Sequence, residues 1–192
     1  MQTNKLTVKD ISTLSYTSFV GLINQWNVPP GAFVTLKKWE IFSQLSTTSK
    51  LLDVACTTGF SSRELARISG CHATGIDISA DSVAAAERNA MTYAPGSQLA
   101  YQVIDALEFT SDQPFSHILV GAALRFFPEP VAALNHLLSL LAPDGYFLSC
   151  EFYTTQPLPP ALVERAHEVF DIDVTQAPYK EVMSIYKNLT LV

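Results

Sequence analysis

The sequence predicts a doubly wound α/β domain: a mainly parallel sheet with helices on both faces, preceded by N-terminal helices. Three observations carry this expectation. From residue 50 onward short apolar runs alternate with stretches of helical spacing. Ile118-Leu119-Val120 is apolar throughout, as befits a strand covered on both faces. Acids and small residues recur just where the apolar runs end. A chain of 192 residues suits one domain. We divide it into residues 1–48, a helical segment of that same domain, and residues 49–192, which carry the sheet.

Tyr16, Phe19, Ile23 and Trp26 recur at helical spacing until Pro29-Pro30-Gly31 stops the run. Leu36, Trp39, Phe42 and Leu45 then share one side of a second helix. Leu51 to Cys56 is the first strand, an apolar run broken by Asp53. Ser61 and Ser62 offer N-cap hydroxyls to a helix that Gly70 ends. His72 to Ile78 is the second strand, and Ser79 to Met91 a helix with Asp81 in its first turn. Leu99 to Ile104 and Ser116 to Val120 are strands three and four. A helix over residues 129–141 is ended by Pro143 and Gly145, and Tyr146 to Tyr153 is the fifth strand. Helices follow near residues 160–170 and 179–187. Leu189-Thr190-Leu191-Val192 begins like a strand and stops, so we expect a truncated or short form of a longer fold that lacks its last strand.

Twelve basic residues against eighteen acidic ones leave a net charge of −6. That argues against a nucleic-acid or anionic membrane surface, which needs a Lys/Arg excess on one face. With 48% hydrophobic residues there is ample material for a core. No apolar run approaches the length of a membrane span or a signal-peptide core. The 3 cysteines, Cys56, Cys71 and Cys150, form no metal knuckle and read as small buried hydrophobes in a reducing compartment. The 4 histidines are scattered at spacings that fit no ligand set, so no metal is expected. These features describe a cytoplasmic domain.

In open α/β sheets ligands sit beyond the carboxyl ends of the strands. The first strand runs into the small-residue turn Ala55-Cys56-Thr57-Thr58-Gly59, which lets a ligand approach backbone and a helix N-terminus. Asp77 at the tip of the second strand suits the two hydroxyls of a ribose. Asp105 after the third suits an exocyclic amine such as that of adenine. Together they describe an adenosine-bearing cofactor laid across three strand ends. A nicotinamide cofactor would need a glycine-rich G-x-G-x-x-G turn, which Thr57-Thr58-Gly59 does not supply.

The segment LLDVACTTGFSSRELA, followed in order by TGIDIS, VIDA, an apolar fourth strand and LLAPDGYFLS, resembles the class I S-adenosylmethionine-dependent methyltransferases. The resemblance covers about residues 50–153 and implies a Rossmann-like sheet. It implies that Asp53 and the turn after it cradle the methionine end of the cofactor. Asp77 matches the ribose-holding acid, Asp105 the adenine-amine position, and Ala106 and Gly121 small positions lining the cleft, with Ile78 beside Asp77 counted among the cofactor-binding residues. Ala55 and Thr57 stand where the family has glycines, leaving Gly59 alone. Alanine is tolerated there at negative φ, whereas a β-branched threonine at positive φ is strained. Thr57 or Thr58 can offer a hydroxyl to the cofactor carboxylate. Ser116 replaces an acid often found where the fourth strand starts.

The expected function is therefore methyl transfer from S-adenosylmethionine to a small-molecule acceptor, without nucleic-acid or membrane partners. The alternative is a non-catalytic or truncated methyltransferase-fold binding domain. Tyr16, Arg125 and Glu151 are candidates for the acceptor pocket, and Glu151 or a histidine for a base if the acceptor must lose a proton. Phe126 and Phe127 either pack on the sheet or line that pocket. The acceptor itself and the oligomeric state are not legible from these motifs.

Overall fold

A computed structural model describes residues 7, 11–170, 174 and 176–192. The start of the N-terminal segment and the stretch just after residue 170 lie outside the described residues. Five parallel strands form one sheet in the order β3-β2-β1-β4-β5: β1 (Lys50–Val54), β2 (His72–Asp77), β3 (Leu99–Val103), β4 (Phe115–Val120) and β5 (Leu141–Ser149). The order reverses between β1 and β4, so the switch point lies at the carboxyl ends of β1 and β4, with β2 next to β1. The helices are α1 (Tyr16–Leu22), α2 (Phe33–Phe42), α3 (Phe60–Ser69), α4 (Ala80–Tyr93), α5 (Pro130–Ser139), α6 (Pro160–Phe170) and α7 (Tyr179–Ser184), with a 3-10 turn at Leu124–Phe126.

Two apolar clusters flank the sheet. One joins Leu52, Val54, Ile76, Ile118 and Val120 to α5 through Ala133, Leu134 and Leu137. The other joins Leu51, Ala73, Leu119 and Leu148 to Leu36, Phe60 and Leu65. Neighbouring residues of one strand thus feed opposite faces, which is why the central strands read as continuous apolar runs.

Several local expectations are corrected. The α1 aromatics do not form its buried face. Val20 and Gly21 are buried, Ile23 and Trp26 lie beyond the helix, and Ile23 is 50% exposed. Gly21 makes the contact because a Cβ there would stand 2.4 Å from the Ser82 nitrogen, so only glycine allows α1 to rest on the start of α4. Phe42 is exposed, and Leu36 and Leu45 are the buried members of the second apolar row. Ser61 and Ser62 do not cap α3. Its N-cap is Gly59, and the Ser62 N–H donates instead to Asp53 Oδ2 at 3.0 Å, a carboxylate arriving from β1.

Pro143 and Gly145 do not end a helix. Leu141 already pairs with Phe115, and the register then slips so that His117 faces Tyr146. Pro143-Asp144-Gly145 is the bulge, with Asp144 at φ 61, and proline is tolerated because β5 is an edge strand. The fifth strand therefore begins and ends earlier than expected. Leu189–Val192 is not a strand: Leu189 packs on the first cluster while Leu191 and Val192 are exposed. Ser116 spans the gap left by the missing acid, since its hydroxyl accepts from the Lys50 N–H and donates to the Lys50 carbonyl. His117 is a core residue whose Nε2 meets the Ser43 carbonyl at 2.9 Å and whose ring stacks on Tyr146. No helix among the described residues is long and apolar enough to cross a membrane.

Candidate active site

The turn after β1 is where sequence and backbone disagree most. Ala55, Thr57 and Gly59 all adopt left-handed φ, at 53°, 49° and 73°. Two L-residues thus hold a conformation that glycine holds without strain. Alanine at negative φ, the condition under which it was tolerable, is not what the fold adopts.

Asp77 explains what holds the turn in place. Its Oδ2 accepts from the Thr57 N–H at 3.0 Å and its Oδ1 from the Ser79 N–H at 2.8 Å. The tip of β2 thereby fastens both the β1 turn and the start of α4, where Ser79 also caps the Ser82 N–H. Each carboxylate oxygen keeps lone-pair capacity for a further donor. Burial raises the Asp77 pKa above its ordinary value, against the lowering effect of those amides.

Asp53 is buried and its pKa is pushed up to about 7, chiefly by burial, with Asp77 adding repulsion and the Ser62 hydrogen bonds opposing it. A carboxyl raised in the fold binds its proton more tightly there than in the unfolded chain. Its contribution to stability is full below pH 3.8 and is lost as pH rises through about 7. Asp53→Asn, which keeps an acceptor for Ser62, should therefore flatten the decline in melting temperature between pH 4 and 8. Parallel melting curves of the two proteins over that range check this, and identical slopes would refute it.

Asp105 lies just past β3 and is exposed. Its Oδ1 accepts from the Leu107 N–H at 2.9 Å, so half the carboxylate shapes a turn and half faces outward. The Ile104 N–H donates to the Asp77 carbonyl, tying the β3 and β2 tips together. Ile78 is 67% exposed, with Val103 and Leu107 also open, while Ala106 is buried in the first apolar cluster. Ile78 follows Asp77 in the chain, and Val103 and Leu107 stand two residues before and after Asp105. Gly121, at the tip of β4, has open space where a Cβ would stand.

Thr58 is corrected as a hydroxyl donor to a ligand. It is fully buried, and its Oγ1 donates to the Gln25 carbonyl at 2.8 Å. Its own carbonyl accepts from Asn89 Nδ2, and Asn89 and Asn24 exchange reciprocal amide hydrogen bonds. Residues 24–25 are thus clipped onto the turn, a link that no spacing in the sequence signals. Cys56 is buried, with its thiol pKa raised by burial and by the two nearby acids, as suits a packing residue. Tyr16 is half-buried at the start of α1.

Of the remaining pocket candidates, Arg125 is half-buried and its Nη2 lies 3.8 Å from Glu181 Oε1. Phe126 is exposed, whereas Phe127 packs on the first apolar cluster. Glu151, two residues beyond β5, is half-buried and accepts a hydrogen bond from the Tyr186 hydroxyl. Tyr186 had no motif to mark it.

Comparison with known proteins identifies the family. A family model described as a methyltransferase domain matches residues 45–187. A demethylmenaquinone methyltransferase of Clavibacter sepedonicus is 32% identical over 136 residues, 70% of this chain and 53% of that protein. A ubiquinone biosynthesis O-methyltransferase of Psychrobacter cryohalolentis is 35% identical over 98 residues, 50% of this chain and 38% of that protein. The chain spans about half the length, or less, of these curated relatives. Among solved structures, the MccD protein superposes with a TM-score of 0.77 at 31% identity, covering 86% of this chain and 74% of that one. A Geobacter sulfurreducens S-adenosylmethionine-dependent methyltransferase in complex with S-adenosylhomocysteine gives 0.72 at 21% identity, covering 90% and 69%. With the family model matching most of its length on this sheet, the chain belongs to the class I S-adenosylmethionine-dependent methyltransferase family.

Proposed function

We propose that the protein transfers a methyl group from S-adenosylmethionine to a small-molecule acceptor in the cytoplasm. One observation carries this reading: the β1 turn keeps left-handed backbone at residues 55, 57 and 59 and is pinned by the Asp77 carboxylate, even though two glycines are gone. The residues present fit the cofactor. Asp53 and the turn Ala55, Thr57, Thr58 and Gly59 would hold its methionine end, with Thr58 contributing backbone only. Asp77 would take the ribose hydroxyls, Ile78 a flat face of the base, Asp105 its amine, Ala106 a small position in the cleft lining behind it, and Gly121 the space beside the reacting centre. When bound, S-adenosylmethionine supplies an electrophilic methyl on a sulfonium. What the chain must add is alignment and exclusion of water, which can lower a barrier by about 7–11 kcal/mol.

The links from Asn24 and Gln25 to Asn89 and Thr58 support treating residues 1–48 as part of the same domain as residues 49–192. Tyr16, Arg125 and Glu151 remain the acceptor-side residues. The acidic surface and the quinone-pathway and O-methyltransferase relatives support a small acceptor over nucleic acid. The Cβ atoms of Ala55 and Thr57 favour a second reading, a binding domain with weakened affinity and no turnover.

Titration calorimetry with S-adenosylhomocysteine tests the first reading. The natural sequence should bind, and Asp77→Asn should weaken binding about tenfold, the loss of one charge-assisted hydrogen bond. Absence of both heat and thermal shift with the natural sequence would sink it. Binding without transfer to any acceptor would favour the second reading.

A further inference from the structure

At the tip of β5 a polar cluster sits outside the cofactor-facing strands. The Tyr186 hydroxyl donates to Glu151 Oε1 and lies 3.0 Å from the Ser149 hydroxyl, which in turn points to the Gly121 carbonyl. The Cys150 N–H also donates to that carbonyl. Gly121 thus joins this cluster to the open space at the β4 tip. Tyr186 follows α7, and its ring is buried in the first apolar cluster beside Phe147, so its hydroxyl is held firmly. Exposed rings follow in the chain: Phe152 and Tyr153 come directly after Glu151, and Tyr179 of α7 meets Tyr153 edge-on at 5.4 Å.

We propose that Glu151 is the base that takes the proton from a phenolic methyl acceptor, and that Tyr186 is a positioning residue that aims and tunes this carboxylate. The proposal rests on the methyl-transfer reading above. A carboxylate at the carboxyl edge, linked through Tyr186 and Ser149 to the Gly121 carbonyl and followed by exposed aromatic residues, suits an aromatic acceptor presenting a hydroxyl. The acceptor oxygen forms its bond to the methyl carbon as the carbon–sulfur bond breaks. That electron pair returns to sulfur, and the phenolic proton passes to Glu151.

Glu151 is placed for this work. Burial lifts its pKa above the ordinary carboxylate value, which strengthens it as a base, while Tyr186, the Arg125 guanidinium and Ser149 pull it back. Further titratable groups here are Cys150, whose thiol is pushed up to about 12, the phenols of Tyr153 and Tyr179, and Glu181, which pairs with Arg125. Tyr186 is itself raised by burial and by Glu151, so it stays protonated and donating.

The test uses the full chain and three readouts. Calorimetry with S-adenosylhomocysteine should give the same affinity for the natural sequence, Glu151→Gln and Tyr186→Phe. If the natural sequence itself does not bind, the methyl-transfer reading fails and this proposal falls with it. With cofactor binding established, methylation of catechol should lose about a hundredfold in kcat in Glu151→Gln, with KM within threefold. Tyr186→Phe keeps the ring packing but removes the donor. It should cut kcat about tenfold and move the acid limb of the pH–rate profile to higher pH. The cofactor-free protein supplies the third readout: in a carbon-13 titration, the Glu151 carboxyl should ionise at higher pH in Tyr186→Phe. If Glu151→Gln does not fold, Glu151→Asp replaces it, with an intermediate rate. An unchanged rate without the carboxylate, an unmoved limb and titration in Tyr186→Phe, or no transfer to catechol by protein that binds cofactor would each overturn the proposal.

Discussion

Changing Ala55 and Thr57 together to glycine is expected to raise the melting temperature by roughly 4–8 °C and to tighten S-adenosylhomocysteine binding. Both residues hold left-handed φ in the β1 turn. Such conformations cost on the order of 1–3 kcal/mol each for a non-glycine residue. Glycine returns part of that gain, about 0.5–1 kcal/mol per site, as extra freedom in the unfolded chain. The net for two sites is about 2 kcal/mol, and a chain of this size gains roughly 2–4 °C per kcal/mol. Thr57 should contribute more than Ala55 because β-branching crowds the left-handed region further. Binding should improve for a separate reason: the turn loses two side chains where a ligand must approach backbone. Calorimetric melting of the single and double variants decides the matter. A double variant less stable than the natural sequence would show that the loop is not strained. A more stable double variant that binds no tighter would separate strain from access.

The same turn shows how far the sequence could be read. Asp53, Asp77 and Asp105 stand at the tips of β1, β2 and β3, and their order along the chain sufficed to place them there. Strand tips follow from where apolar runs end, and parallel connection forces those ends to one edge. The backbone of Ala55 and Thr57 was not legible, because residue type suggested negative φ while the tertiary frame imposed the glycine geometry. That frame is the Asp77 carboxylate on the Thr57 N–H and the Tyr101 ring packed against Gly59 and Gly75. Tyr186 escaped notice for a similar reason. Its meeting with Glu151 depends on the path of the chain after β5, and no periodicity in residues 150–186 encodes that path. At residues 143–145 Pro and Gly mark a helix end and a bulge equally, so residue type does not distinguish them. Only the pairing of Leu141 with Phe115 tells them apart.

Glu64→Gln should be among the most destabilising single changes outside the apolar core, at about 3–5 kcal/mol. Arg63 is completely buried and donates through Nε to Glu64 Oε1 at 3.0 Å. Among the described residues its Nη1 and Nη2 have no hydrogen-bond partner. The rings of Trp26, Tyr93 and Phe60 surround the guanidinium at 4.7, 5.3 and 5.5 Å. The rings compensate the cation in part, and Glu64 supplies the only nearby counter-charge identified among the described residues. Neutralising Glu64 leaves a buried cation with a neutral amide acceptor and aromatic faces but no counter-charge. Arg67, the other partner of Glu64, is half exposed and turns to water at little cost. The discriminating variant is Arg63→Met with Glu64→Gln: removing both charges should recover most of the loss, because an apolar side chain of similar length suits this site. If the double variant is no more stable than Glu64→Gln alone, the stranded cation is not the cause. The consequence reaches the active site, since Trp26 adjoins Gln25, whose carbonyl takes the Thr58 hydroxyl. Glu64→Gln should therefore also speed amide exchange at residues 24–26, while the Arg63→Met, Glu64→Gln double variant, with its uncharged filler under Trp26, should not.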